Sequence, residues 1–162
     1  MSLWVKPASV KGATLVHSST VADGTGWCVD FLGFSSTGHI VSTAWDNNDL
    51  EEVIGPIINV NNWTHIATTY STANGVRLYV NGFLVGTTGS KTYDASESVN
   101  ILTLGNSLQG KPLGSPGGTC NSQSIDPRVY YGMIDEFRVY AKELSIGEVW
   151  NLANLQSERQ IA

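Results

Sequence analysis

Charge is scarce in this chain: only 14% of its 162 residues are Asp, Glu, Lys or Arg. The nine basic residues form no run and the net charge is −5, so the electrostatic footprint of a nucleic-acid binder is missing. No apolar stretch approaches the roughly 20 residues that cross a bilayer as a helix, so membrane insertion is not expected. The opening residues, Met1-Ser2-Leu3-Trp4-Val5-Lys6-Pro7, lack the basic start and apolar core of a signal peptide. Cysteine is nearly absent, and Cys28 and Cys120 lie too far apart for a CxxC metal or redox pair. They form either one long-range disulfide or two buried thiols, according to compartment. Cys120 sits in a Gly/Ser/Asn-rich loop that would expose a free thiol, which favours the disulfide.

Catalytic signatures are missing as well. His17, His39 and His65 are dispersed, with no HExxH spacing and no serine in a nucleophile elbow. His65 reads most simply as a packed or hydrogen-bonded strand residue.

What is abundant is apolar and turn-forming residues: 41% hydrophobic, with 17 glycines. That composition and length predict one well-cored, turn-rich domain. Residues 63–86 carry the strongest local signal, three β-rich runs punctuated by Asn74-Gly75 and Asn81-Gly82. Asn and Gly tolerate positive φ cheaply, so Asn-Gly between apolar runs predicts hairpins. The expectation is an antiparallel meander at the middle of a sheet, with Val76, Leu78 and Val80 on one face and Arg77 and Tyr79 on the other. Further β-rich runs occupy residues 4–5, 13–18, 27–35, 39–44, 53–58, 101–104 and 133–140. The run at 53–58 contains Gly55-Pro56, which predicts an edge or bulged strand. About ten short strands at near-regular spacing indicate an all-β sandwich. One helix is expected after Ser145, whose capping box closes with Glu148 while Leu144 and Val149 form a hydrophobic staple. Residues 106–131 lack periodicity, and a loop that long is expected to be functional or locally disordered.

Several segments together carry a resemblance: Trp4-Val5-Lys6-Pro7, Trp63-Thr64-His65-Ile66-Ala67, Leu78-Tyr79-Val80-Asn81-Gly82, and Gly132 through Tyr140 followed by Leu144-Ser145. In order and spacing the chain resembles the laminin-G-like jelly-roll domains of the concanavalin A-like lectin/glucanase superfamily, near the pentraxins. The resemblance implies a two-sheet antiparallel jelly-roll β-sandwich over residues 1–154, with 155–162 as a tail. It also implies an extracellular or cell-surface setting, and binding of carbohydrate or a cell-surface glycoprotein. Glucan hydrolases of that superfamily place acidic residues at alternate positions of one strand. Asp135 and Glu136 are adjacent instead, so a strand would send them to opposite faces and they cannot serve as an acid/base pair.

The expected function is therefore a non-catalytic, lectin-like module binding through loops at one end of the sandwich. The alternative is an adhesion or self-assembling protein with protein partners, and a glycan-active enzyme comes third. Trp45 with the loop Asp46-Asn47-Asn48-Asp49 is the first candidate lip, since an aromatic face packs on sugar CH groups while amides and carboxylates bind hydroxyls. Oxygen-rich Asp46 and Asp49 also suit Ca²⁺, although no cofactor is required by this reading. Asn106 with Tyr130 and Tyr131 forms the second candidate lip. Asn62-Trp63-Thr64 fits a glycosylation sequon. Domains of the family usually carry a strand before the Trp-Val-Lys-Pro segment. A homo-oligomer is accordingly expected, through an open sheet edge at Met1 to Lys6 or Met133 to Tyr140.

Overall fold

The fold is described from a computed structural model covering residues 1–46, 49–92 and 98–154. Two antiparallel sheets face each other. The strands are β1 (Ser2–Pro7), β2 (Ala13–Ser19), β3 (Cys28–Phe34), β4 (His39–Asp46), β5 (Asp49–Ile57), β6 (Thr64–Ser71), β7 (Gly75–Val80), β8 (Phe83–Thr87), β9 (Ile101–Leu104), β10 (Cys120–Asn121) and β11 (Gly132–Arg138). A five-stranded sheet runs β11-β1-β6-β7-β8 and a six-stranded sheet runs β5-β4-β3-β2-β9, with β10 added beside β3.

The alternation along β7 explains the layering. Val76 and Leu78 enter the main core with Leu3, Val5, Leu32, Phe34, Ile40 and Ile66. Removing side chains of this size from water contributes about 2–3 kcal/mol each. Tyr79 points the other way yet is fully buried, because it joins a second cluster with Ala67, Leu144 and Val149. That cluster lies beneath helix α1 (Ile146–Asn154), which starts as the capping box requires. The Glu148 amide donates to Ser145 Oγ at 3.3 Å, and the Ser145 amide returns a 2.8 Å bond to the Glu148 carboxylate.

The meander occupies one flank of its sheet rather than the middle. β6 is the central strand and β8 is an edge. Its two Asn-Gly pairs also act differently. Asn81 and Gly82 both take positive φ, 51° and 84°, and form the two-residue turn between Val80 and Phe83. Asn74 precedes Gly75, which is itself the Cα partner of Ser71, so this loop has three residues.

The expected open edge at Met1 to Lys6 is not an edge. Ser2 pairs with Ala67 on one side and Arg138 on the other, so β1 is satisfied along both flanks. The edge belongs to β11, and it is bulged: Trp4 pairs with Asp135 and Ser2 with Arg138, leaving one extra residue on β11. Glu136 in that stretch has φ 48° and holds Arg138 Nη2 at 2.5 Å. A bulge carrying a charge pair is a device that makes an edge a poor template for another chain.

The aperiodic residues 106–131 are held in place. β10 pairs in parallel with β3 at Cys28 and Val29, beyond Leu32, the last β3 residue paired with β4. Cys28 and Cys120 face each other in that pairing and are joined by a disulfide, both buried. Gln123 donates to the Leu50 carbonyl and Ser124 Oγ to Glu52 at 2.9 Å, which pins the same segment to β5.

Candidate functional site

The ladder between β1 and β6 ends where the Thr68 amide donates to the Met1 carbonyl at 2.9 Å, while β6 continues to Ser71. A cleft of about 880 Å³ opens at this end of the sandwich. Its floor comes from the six-stranded sheet: Ser18, Phe31, residues 43–45 and Leu102. Thr68, Thr69, Tyr70 and Val76 form one wall, and residues 139–144 after β11 form the other. Trp27 and Trp45 stand edge to face at one corner, ring centroids 5.9 Å apart and planes at 81°. Trp27 is 38% exposed, so the corner offers open aromatic surface.

Most polar groups of the cleft are occupied. Thr43 Oγ1 donates to the Asp30 carbonyl at 2.7 Å, and the Ser42 and Thr68 hydroxyls pair at 2.7 Å. Glu143 accepts both bonds from Asn74 Nδ2, at 3.0 and 3.1 Å, and faces Arg77 at 3.7 Å. Lys142 is bound to Glu148. Thr69 Oγ1 and Tyr140 OH are buried and meet no partner among the described residues, but Thr69 shares the strand face of Ala67 and Tyr140 packs on the cluster of Ala67, Tyr79, Leu144 and Val149, away from the aromatic corner.

The residues expected from the sequence fall in different places. Trp45 lines the cleft, half-buried. Asp46 and Asp49 are Cα partners across the β4–β5 hairpin, and Asn47 and Asn48 lie outside the described residues, as does the tail 155–162. Asp46 accepts a 2.9 Å bond from Thr92 Oγ1, while Asp49 Oδ1 accepts the Leu50 amide at 2.8 Å. Lys91 Nζ sits 2.7 Å from Glu51, whose hydrogen bond, aided by the charges of Glu51, Asp46 and Asp49, holds the lysine above its ordinary value. Positive charge for these carboxylates is thus already supplied by an ammonium. Ca²⁺ takes six to eight oxygens, and the described donors here do not converge into such a set. Among the described residues the cluster with metal-ligand character is His17, Cys28 and Cys120, in which both sulfurs belong to the disulfide.

The second candidate lip does not assemble. Tyr130 is only 8% exposed, its ring stacks on Phe34 at 6.4 Å, and its hydroxyl donates to the Met133 carbonyl at 3.1 Å. It is a core residue because the next position, Tyr131, takes the outward direction and is 68% exposed. Asn106 Oδ1 closes a local turn by accepting the Leu108 amide at 2.9 Å. None of the three lines the cleft.

A buried polar chain lies beside the disulfide. Ser122 Oγ donates to Asp30 Oδ2 at 2.6 Å, Asp30 Oδ1 meets His17 Nδ1 at 2.9 Å, and His17 Nε2 meets the Gly24 carbonyl at 3.1 Å. The order is Ser–Asp–His, so the serine faces a carboxylate and no imidazole base reaches it. Burial alone would lower the His17 value, but the bond to Asp30, its charge and the Gly24 carbonyl together raise it. The chain ties β2, β3 and the 106–131 segment together.

Sequence reasoning missed Trp27, Phe31, Thr69 and Tyr140. Each came from a different run, and only the pairing of the sheets brings them to one cleft.

A family model described as the concanavalin A-like lectin/glucanases superfamily matches residues 1–149. The chain is 25% identical over 147 residues to rat (Rattus norvegicus) neuronal pentraxin-1, covering 86% of this chain and 32% of that protein. It therefore spans about a third of the curated relatives' length. Among solved structures it is similar to the CBM40 of the Ruminococcus gnavus IT-sialidase bound to α2,3-sialyllactose, with TM-score 0.66, 15% identity, and coverage of 94% of this chain and 80% of that one. It is also similar to domain 4 of an extracellular GH43 arabinanase from Geobacillus stearothermophilus in complex with arabinotriose. There the TM-score is 0.53, identity 24%, and coverage 94% and 64%. At these identities the structural likeness is one of fold.

Proposed function

Because the chain belongs to the concanavalin A-like lectin/glucanases superfamily, we propose that it is a non-catalytic carbohydrate-binding module whose ligand sits in the cleft beside Trp27 and Trp45. The observation that carries this reading is the edge-to-face Trp27–Trp45 corner, which leaves aromatic surface open at the mouth of the cleft. Sugars present apolar CH faces, and open aromatic surface of this kind is what such a face packs against. Glycans held by two structural neighbours support the ligand class. The disulfide and the extracellular arabinanase neighbour support a role outside the cell. Lys91 already supplies a positive charge to the acidic hairpin, so the binding proposed here does not rely on Ca²⁺. The test is a glycan array at millimolar Ca²⁺, with and without chelator, repeated with Trp45→Ala. Chelator-independent binding that falls at least tenfold in the variant is expected. Silence from the native protein in both conditions would overturn the reading.

A second reading, a protein partner, is favoured by one observation. Leu102 and Leu104 of edge strand β9 and Met133 and Val139 near edge strand β11 are each more than 40% exposed. Substituting Met133 and Leu104 with Lys separates the two, because protein capture would fall while glycan binding would not. An enzyme remains the third reading, and a screen for polysaccharide hydrolysis tests it directly.

A further inference from the structure

The sequon Asn62-Trp63-Thr64 lies away from the cleft and stands apart from the carbohydrate reading. We infer that Asn62 is an N-glycosylation site, that its glycan leaves from the end of the sandwich opposite the cleft, and that it is attached before β1 and β6 pair.

Asn62 sits in the loop between β5 and β6, where residues 59–62 are all exposed. Asparagine in a turn commonly serves the backbone, by taking positive φ or by bonding its neighbours through its amide. Asn62 meets neither need. The positive φ belongs to Asn61, at 60°, and the Asn61 backbone N–H donates to the Pro7 carbonyl at 2.7 Å, tying the loop to β1. The Asn62 side chain bonds no other described residue. By contrast, Asn74, Asn81 and Asn106 use theirs on Glu143, the His65 amide and the Leu108 amide. A glycan on Asn62 Nδ2 therefore displaces no hydrogen bond of the fold and needs no buried space. Asn62 also begins the sole Asn-x-Ser/Thr of the sequence. The buried disulfide suits the oxidising compartment in which such transfer occurs.

Direction follows from β6. The cleft takes Thr68, Thr69 and Tyr70 near the far end of that strand. At ~3.3 Å per residue these lie about 20–26 Å along the chain from Asn62. β1 gives the same answer, since Met1 lines the cleft while Pro7 bonds the Asn61 loop. A branched sugar at Asn62 thus leaves the cleft open. Timing follows from Thr64. A sequon is read through its hydroxyl residue as well as its asparagine, and Thr64 is 5% exposed, paired with Val5 in the sheet. A transferase reaches that residue only while β6 is still unpaired. The reaction is a substitution in which Asn62 Nδ2 attacks the anomeric carbon of an oligosaccharide carried on a lipid diphosphate. The N–C bond forms, the C–O bond to the diphosphate breaks, and the amide loses one proton to the enzyme, with no oxidation or reduction.

In the experiment the whole chain is secreted from cultured eukaryotic cells behind a cleavable leader, natively and as Asn62→Gln, and weighed intact before and after an amidase that removes N-glycans. The native product should exceed its sequence mass by whole hexose and N-acetylhexosamine units, and the amidase should remove them and leave an aspartate at that position. The Asn62→Gln product should carry no such mass and unfold within about 2 °C of the amidase-treated native chain, because the residue is exposed and unbonded. Unglycosylated chain, folded with its disulfide closed, should stay unmodified when incubated with microsomal transferase and lipid-linked oligosaccharide, whereas reduced and unfolded chain should be modified. A secreted, disulfide-closed product with the bare sequence mass overturns the site, and so does a sugar mass that survives Asn62→Gln. Efficient modification of the folded chain overturns the timing and leaves the site standing.

Discussion

Acidification should weaken this fold through one residue, His65. It lies on β6, 2% exposed, with its ring edge-on to Trp4 at a centroid distance of 5.3 Å. Its Nδ1 has no hydrogen-bond partner among the described residues, so no neighbour there accepts the proton that charging would add. Burial, with a smaller contribution from the charge of Arg138, lowers its pKa from 6.5 to about 4. A histidine depressed in the folded state stays neutral while the unfolded chain takes up a proton below pH 6.5. Stability from this residue is therefore complete above pH 6.5 and declines as the pH falls towards 4. Each pH unit between the folded and unfolded values is worth about 1.4 kcal/mol, so the loss on reaching pH 4 approaches about 3 kcal/mol. Carboxylates titrate in part of the same window, so the assay must isolate the histidine. Urea denaturation of the native protein and of His65→Phe, at half-unit steps from pH 7.5 to 4, does so by difference. Phenylalanine keeps the ring and removes the orphaned nitrogen, so it should match or exceed native stability at pH 7.5 and lead by about 3 kcal/mol more at pH 4. A difference that stays constant across the range would show that His65 is protonated freely in the folded state, and would refute this account.

Replacing both Cys28 and Cys120 with Ser should lower stability by about 4 kcal/mol, because the bond closes a loop of 92 residues; guanidinium midpoints measure it, and a loss below about 1 kcal/mol would contradict this. Ser145→Ala removes the hydroxyl that caps the Glu148 amide and should cost about 1 kcal/mol, read as a Tm decrease with helix α1 more open to hydrogen exchange. Glu136→Gly relieves a positive φ at a cost-free position for glycine, so it should stabilise the monomer by up to about 1 kcal/mol. The same change deletes a charge that guards the β11 edge, and light scattering across a concentration series should show more self-association than in the native chain.

The parts of the fold that were legible depend on short-range chemistry. Val76 and Leu78 alternate with Arg77 and Tyr79, and the strand and its two buried faces follow from that period of two. Ser145 and Glu148 announce the helix because capping involves neighbours. Tyr130 was misjudged for a related reason: adjacency to Tyr131 says that the two rings point apart, but not which of them meets Phe34. The status of β1 was invisible, since its partners Ala67 and Arg138 are fixed by sheet order and not by local pattern. Asp46 and Asp49 looked like cation ligands because Lys91, whose charge faces them, stands far along the chain. The cleft was the least legible feature, as it gathers Phe31 and Trp45 from one sheet, Thr69 from the other and Tyr140 from the segment after β11.

The disulfide between Cys28 and Cys120 also has a mechanical meaning. A module anchored at one end and held through its ligand or its other end experiences tension along the chain. The 92-residue separation between the two sulfurs cannot lengthen while they remain joined. At about 3.4 Å per extended residue, roughly 300 Å of contour is withheld from any pull on the termini. Tension can draw out the first strands and the last ones, yet β4 through β9, including Trp45 and Thr69, lie inside the locked loop. Reduction would release that length at once, so the redox state of a single bond sets how far this domain can stretch before it lets go.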